Sequence, residues 1–540
     1  MSQCTLYFNG KIYTMDENNT CVSAMLVTDG RIAAVGRDSD LLAAKPADAE
    51  LIDLKGRVVL PGLIDGHSHV SITGRCIFEL QLSGKSKAEV LEMVRKKAEE
   101  LPAGDWICGV GWNQDEWNEK GYPTKEELDA VAPNHPVRLV RYCGNAYWCN
   151  SLAINMALEG ASDDEENSGT EFMLNEKGEL AGTLVGPLCR KIDDIIPEYT
   201  EAQYGAMYNY IEAICLSYGT TTIMEKGAGA QSPLTVTGGK KIVKQLRSLY
   251  DENKLKIRIH QAVIGLDPYA DEHFGQEWEP FSHDDHLSVR SVKFWTDGAF
   301  GAHSACLSED YYDQPGHRGN RKFSDEELTA LFKKYDDLGV QIEVHTIGDA
   351  TTTQVLDCYE AAFADSLERD RRFIIDHVHV AQPEDIIRMG RLNLINSTQF
   401  IQFSADMGFL PVVLSPDMVK LVYPWRAVLD AGCRMVNGAD MDPVSPFLML
   451  YVAIARKNVD GINTLEEEPL KTLTRMEAIR TMTTETAYAM FMEDRLGSLE
   501  PGKHADFIFI DRDYFTCPEE EIRDITVEAT YIAGKQVYAR

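Results

Sequence analysis

Two histidines, His67 and His69, close the apolar run Val58-Val-Leu-Pro-Gly-Leu-Ile-Asp-Gly-His-Ser-His-Val70. Such a run reads as a buried strand, on which residues i and i+2 face the same way, so both imidazoles can reach one metal ion. The same spacing also suits an ordinary pair of core histidines, and the rest of the chain has to decide between them. It supplies Lys293, His345, His377 and Asp440, each in or just after an apolar, strand-like segment, with Asp297 shortly after Lys293. Neutral imidazoles and a carboxylate are good ligands for zinc and similar divalent ions. Several such groups arriving from different strands make an open catalytic site rather than a closed structural one.

These side chains can meet only if their strands lie side by side. Strand-like segments occur at 58–70, 220–225, 256–264, 289–295, 340–345, 373–380, 394–401 and 434–439, and they alternate with helical stretches. That alternation argues for βα units and a parallel sheet, and eight strands is the number that closes a TIM-like (β/α)8 barrel with its reactive groups at the carboxyl ends. The expected fold class is therefore α/β, with the barrel spanning 58–490. Short strands at 5–8, 11–14, 24–28, 31–35 and 51–53 recur in style at 505–511 and 526–531, so residues 1–57 and 491–540 should combine into one small β-sandwich domain. The interval of about 74–197 is too long for one connection and reads as a subdomain inserted after the first strand. It offers a helix over 87–101, a strand over 137–142 and a hairpin over 171–184 turning at Lys177-Gly178, while the acidic patch 163–167 reads as a solvated loop.

Composition narrows the function classes. The 540 residues carry a formal net charge of −32, a field that disfavours nucleic acid and anionic membrane surfaces. No apolar run approaches the roughly 18 residues of a membrane-spanning helix. The first residues alternate like a strand, with no basic segment leading into an apolar one, so export is not expected. The 12 cysteines include no Cys-x-x-Cys pair, which fits reduced thiols in a cytoplasm. The expected partner is a small molecule, and a homodimer stays open.

With these residues in view, the chain resembles the metal-dependent amidohydrolase superfamily. Pro61-Gly-Leu-Ile-Asp-Gly-His67-Ser-His69 is similar to its first-strand signature. Lys293-Phe-Trp-Thr-Asp-Gly298, His345-Thr-Ile-Gly-Asp349, Asp376-His377 and Gly438-Ala-Asp440 resemble amidohydrolase family 3, the branch of N-substituted formamide deformylase-like and exoenzyme regulatory protein-like hydrolases. Gly497-Ser-Leu-Glu-Pro-Gly-Lys-His-Ala-Asp506 resembles its closing segment. The resemblance implies one or two divalent ions, zinc foremost, with His67 and His69 on one and His345 and His377 on the other, bridged by Lys293 once it has become a carbamate. It makes Asp440 both ligand and proton carrier, acting as a metal-activated hydroxide attacks a carbonyl and an amine departs.

The chain also departs from that pattern. Tyr142-Cys-Gly-Asn145 has an asparagine where relatives often carry a histidine, so Asn145 can bond a substrate but cannot titrate. His303 stands where arginine or threonine is common and is expected to face substrate, together with Asp297. Trp112, in Gly109-Val-Gly-Trp112, is either an aromatic face over an apolar substrate or core packing of the insertion. His379 shares a strand face with His377 and is placed behind it. The expected activity is hydrolysis of an amide-like, non-peptide C–N bond in a small N-acyl or N-formyl compound. Ester or carbamate hydrolysis, a superfamily deaminase and a non-catalytic scaffold are the alternatives. A deaminase usually needs a glutamate soon after the fifth-strand histidine, and His345 is followed by Thr-Ile-Gly-Asp.

Overall fold

Gly62 divides the first apolar run into two strands, where the sequence reads as one. A Cβ at Gly62 would lie 2.3 Å from Thr221 Oγ1, so the chain can turn there only without a side chain. Before the turn, Val58–Pro61 belongs to a sheet of the chain termini; after it, β1 (Leu63–Ser68) opens the barrel. The structure, a computed structural model, describes residues 4–118, 121–141, 146–159, 181–185, 187–228, 238–441, 443–465 and 471–540.

From β1 the barrel continues through β2 (Thr220–Ala228), β3 (Arg258–Ile264), β4 (Leu287–Trp295), β5 (Gln341–Thr346), β6 (Ile374–His377), β7 (Ile395–Thr398) and β8 (Arg434–Asn437), each parallel to the last. Buried polar residues punctuate these apolar strands at the two-residue period that aims side chains inward: Glu343 and His345 on β5, Ser291 and Lys293 on β4. Between strands, helices start on built caps; Ser324 and Glu327, for example, form a capping box at the start of Asp325–Asp337.

The seam between β8 and β1 is made at the metal-ligand candidates. Asp440 donates its backbone N–H to the His67 carbonyl at 2.7 Å, and the His69 N–H donates to the Asp440 carbonyl at 3.0 Å. Beneath them the buried Asp65 carboxylate accepts the His67 N–H at 3.0 Å and the Ala439 N–H at 3.2 Å. A Cβ at Gly438 would lie 2.2 Å from the His67 nitrogen and 2.4 Å from Asp65 Oδ1. The motifs Asp65-Gly-His67 and Gly438-Ala-Asp440 are therefore two halves of one closure.

Strands from both ends of the chain form two sheets. One runs Arg31–Gly36, Ala24–Thr28, Cys4–Phe8, Glu50–Asp53; the other runs Lys535–Ala539, Val527–Ile532, Phe507–Ile510, Val58–Pro61, Lys11–Tyr13, Cys21–Val22. Between them packs an aromatic cluster in which Phe507 and Tyr531 stack at 4.4 Å and Tyr7 meets Phe507 edge-on at 5.1 Å. These sheets fall in the same compact unit as the barrel, while Ser71–Met207 makes a second unit.

That second unit carries its own five-stranded sheet, in the order Thr183–Val185, Ala146–Cys149, Val137–Arg141, Ile107–Trp112, Leu80–Gln81. Its helix Lys87–Glu100 starts at a Ser86/Glu89 capping box. Trp112 is fully buried, stacked on Trp117 at 5.8 Å, with its indole N–H donating to the Leu139 carbonyl at 2.8 Å. It is core packing, which corrects its assignment as a substrate-facing aromatic: no face of the ring is open. The acidic patch 163–167 and most of the 171–184 hairpin lie outside the described residues. Among those described, no helix is long and apolar enough to cross a membrane.

Gly438→Ala is expected to lower the urea midpoint of unfolding by an amount equivalent to at least about 1–3 kcal/mol, the usual cost of forcing atoms into a packed site. Gly408→Ala, which meets nothing within 4 Å, should stay within about 0.5 kcal/mol of the parent protein.

Candidate metal centre

At the carboxyl end of the barrel, ligand atoms of His67, His69 and Asp440 all lie within 4.8 Å of one another. Asp440 Oδ1 is 3.2 Å from His69 Nε2 and 3.6 Å from His67 Nε2. His67 is fixed from behind, its Nδ1 sitting 3.1 Å from Asp376 Oδ1 and 3.1 Å from Ser397 Oγ. With Nδ1–H donated to the carboxylate, Nε2 presents a lone pair toward Asp440. His67 Nε2 and His69 Nδ1 are buried without a hydrogen-bond partner. Buried nitrogens are rarely left so, and a divalent cation bound by imidazole and carboxylate would satisfy such a donor set.

His377 continues the cluster. Its ring centre is 4.9 Å from that of His67 and 4.5 Å from that of His345, and its Nδ1 is held by Gln399 Oε1 at 2.6 Å. The backbone bends sharply to present these groups: His377, Val378 and Asp440 have φ of 74°, 52° and 70°. Positive φ is costly for residues with a Cβ, most of all for valine, and clusters where a site over-determines the chain. Burial pushes the His67 imidazole down to about 3 and that of His379 to about 4, and holds His377 well below the usual histidine range. These imidazoles are neutral, and those of His67 and His377 are available as ligands. Burial alone would raise Asp440, but His69, His67 and His377 more than offset it, so the carboxylate stays ionised.

Lys293 lies below this group, fully buried, and its ammonium pairs with Asp376 Oδ2. Lys226 pairs with Glu343 and lies 3.6 Å from Asp376 Oδ1. The result is a layer of two lysines and two carboxylates, every member 0 % exposed, under the imidazoles. Burial lowers the pKa of Lys293 despite Asp376; Lys226 meets a similar burial penalty, but Asp376 and Glu343 together raise it.

Other expected site residues take different places. Asp297 is fully buried, and its carboxylate accepts N–H groups of Cys306, Ile347 and Gly348 at 3.0, 3.1 and 2.9 Å and the Thr351 hydroxyl at 2.9 Å. It pins the loops after β4 and β5 and lies 3.3 Å from His345 Nε2. This corrects its assignment to the substrate: its oxygens are committed to the scaffold. His303 is 2.9 Å from Asp313, and its ring lies tilted against that of Tyr311 with centres 4.8 Å apart. Asn145 lies outside the described residues. Behind His377, His379 joins a chain that sequence reasoning did not reach: its Nε2 is 2.8 Å from Gln402 Oε1, and Gln402 Nε2 donates to Asp440 Oδ2 at 2.6 Å. Lys226, Glu343, Gln399 and Gln402 were missed, and Asp376 was noted only within the Asp376-His377 match, with no role. The signal for Glu343 was present, two residues before His345 on the same strand face; the glutamines carried none.

Because Gln399 buttresses His377 without bearing charge, Gln399→Leu should preserve the fold while weakening divalent-metal binding about 10–100-fold. Competition against a chromophoric chelator measures this directly.

Comparison with known proteins finds relatives over nearly the whole chain. The Amidohydrolase family matches residues 50–538. Protein LONG AFTER FAR-RED 3 of Arabidopsis thaliana is 28% identical over 550 residues, covering 99% of this chain and 91% of its own. The N-substituted formamide deformylase of Arthrobacter pascens is 27% identical, covering 99% and 98%. An uncharacterised metal-dependent hydrolase of Pyrococcus furiosus, of known structure, superimposes with a TM-score of 0.77 at 26% identity, covering 95% of this chain and 100% of that one. Barrel, seam and ligand cluster thus stand together in a protein that belongs to the amidohydrolase family, within the metal-dependent hydrolases.

Proposed function

We propose that the protein hydrolyses the C–N bond of a small N-substituted amide, of N-acyl or N-formyl type. The observation that carries this is the convergence of His67, His69 and Asp440, two imidazoles each with a buried, unpartnered nitrogen beside an ionised carboxylate. A divalent ion held there, zinc being the best match to the donors, supplies Lewis acidity and lowers the pKa of water. Asp440 accepts the proton of the attacking water as the carbonyl carbon becomes tetrahedral. It then delivers that proton to the amine nitrogen as the C–N bond breaks. Gln402 and His379 keep Asp440 turned for both transfers. The Arthrobacter deformylase, similar over nearly the whole chain, supports an N-substituted amide.

Lys293 is the residue for a carbamate. As a neutral amine it adds to carbon dioxide, forming an N–C bond and releasing one proton, and burial already favours its neutral form. Asp376 does not lose its countercharge in that step, since Lys226 lies 3.6 Å from its Oδ1.

Three exposed apolar residues follow barrel strands at their carboxyl ends. Tyr312, Val412 and Met441 are exposed by 60%, 58% and 44%, in the segments that follow β4, β7 and β8, Val412 within the short helix Leu410–Val413, and the Tyr312 N–H donates to the Val413 carbonyl at 2.9 Å. With His303 in the same loop as Tyr312, this lip suits an uncharged alkyl or aryl substituent. A deaminase fits less well: Asp349, the first carboxylate after His345, is fully buried and committed to Ser308 and Gln382.

A panel of N-formyl, N-acyl, ester and carbamate compounds, assayed for released amine or alcohol with zinc-loaded protein, tests the reading. Amides should turn over fastest, and Asp440→Asn should cost at least about 10²-fold in kcat, within the range for general acid–base groups. Full activity after exhaustive chelation, or in Asp440→Asn or Lys293→Ala, would overturn it. Tyr312→Asp is expected to raise KM for aryl substrates severalfold with kcat little changed.

A further inference from the structure

At the opposite, amino-terminal end of the barrel, β4 contains a β-bulge. Pairing with β3 passes from Gln261↔Val289 directly to Ala262↔Ser291, leaving Arg290 as the extra residue. Bulges re-aim a side chain, and this one turns Arg290 out of the ladder into a cavity of about 100 Å³ lined by Arg290, Asp336, Gln341, Arg369, Arg371 and Phe491. That volume is several times the roughly 10–15 Å³ that admits one water. The guanidinium lies over Phe491, 3.5 Å from the ring centre, so that face is covered. Among the described residues the Arg290 side chain has no hydrogen bond and no ion pair, and its Nε is buried without a partner.

The surrounding charges do not neutralise it. Asp336 is shared by Arg369 at 3.1 Å and Arg371 at 3.0 Å. Glu493 is engaged by Arg372 at 2.6 Å, and Asp370 takes the Tyr488 hydroxyl at 2.8 Å and lies 3.5 Å from Arg372 Nε. Four guanidiniums therefore face three carboxylates, and Arg290 is the one left over. Burial, followed by repulsion from Arg372, pulls its pKa down to about 10. A second orphan lines the same cavity: Gln341, 2% exposed, spends both amide hydrogens on the carbonyls of Arg372 and Ala489, and its Oε1 accepts nothing. An unpaired, half-buried guanidinium with one buried N–H and a buried acceptor, lining one cavity, call for a ligand that is anionic and still carries one O–H.

We propose that this cavity is a binding site for a small protonated oxyanion, hydrogen phosphate or hydrogen carbonate in character, held by Arg290 and donating its hydroxyl to Gln341. It is separate from the metal centre: Arg290 precedes Lys293 by three strand residues, about 10 Å. Three ligand-bearing strands, β4, β5 and β6, begin around it, so occupancy stiffens the base from which Lys293, His345 and His377 rise.

The test is calorimetric titration and thermal unfolding of the metal-loaded protein with inorganic phosphate, hydrogen carbonate and sulfate at matched ionic strength. Sulfate has the charge and size of phosphate but no hydroxyl near neutral pH. Saturable binding of phosphate or hydrogen carbonate, at least tenfold tighter than sulfate, with a matching rise in Tm, is expected. Arg290→Gln should abolish that binding and Arg290→Lys weaken it, both with zinc content unchanged. Asp440→Asn should retain it, which separates this cavity from anion binding at the metal. Failure of all three ions to saturate, equal affinity for sulfate, or undiminished binding by Arg290→Gln would each overturn the proposal.

Discussion

Asp440 and the histidines meet through their backbones before they meet through their side chains. The Asp440 N–H to His67 carbonyl bond and the His69 N–H to Asp440 carbonyl bond close the barrel, and the same residues supply the converging nitrogens and oxygens. Ligand geometry is thus tied to ring closure: a barrel open at this seam would have no site, and a closed one fixes the side chains to within the freedom of their rotamers. Preorganisation of this kind spares the reaction the cost of gathering its groups. It also explains why the seam tolerates a buried Asp65, whose oxygens satisfy two N–H groups that no strand neighbour reaches.

Under the imidazoles, the Lys226, Glu343, Lys293 and Asp376 layer places four ionisable groups where water is absent. Buried ion pairs add little net stability, because desolvation consumes most of their attraction, but removal of one partner is costly. Their contribution here is orientation. Asp376 sets the tautomer of His67, and its own ionisation is held by two lysines, so it tolerates a change in one of them.

Much of this was legible in the residues. His67-Ser-His69 on an apolar run, and single polar residues ending later runs, gave the barrel and its face because strand period and strand-end chemistry are local properties. What was hidden was of two kinds. Gly62 and Gly438 looked like ordinary motif glycines, and only the packing of Thr221 and of the His67 backbone shows why no side chain fits. Asp297 and Trp112 carried the right functional groups for substrate contact, but hydrogen bonding to distant segments commits them to the scaffold. Commitment of a polar atom is a three-dimensional fact, and no spacing in the chain reports it.

The strand that precedes the paired histidines is completed from far away. Val58–Pro61 lies between Lys11–Tyr13 and Phe507–Ile510, and the segment that covers its second edge lies more than 400 residues downstream. A ribosome adding roughly 5–20 residues per second would leave that edge bare for roughly 20–90 s after His67 emerges. During synthesis the nascent chain therefore carries an unpaired, apolar strand edge, a surface for chaperones and for wrong pairings alike, and the ligand cluster cannot assemble before Asp440 has emerged.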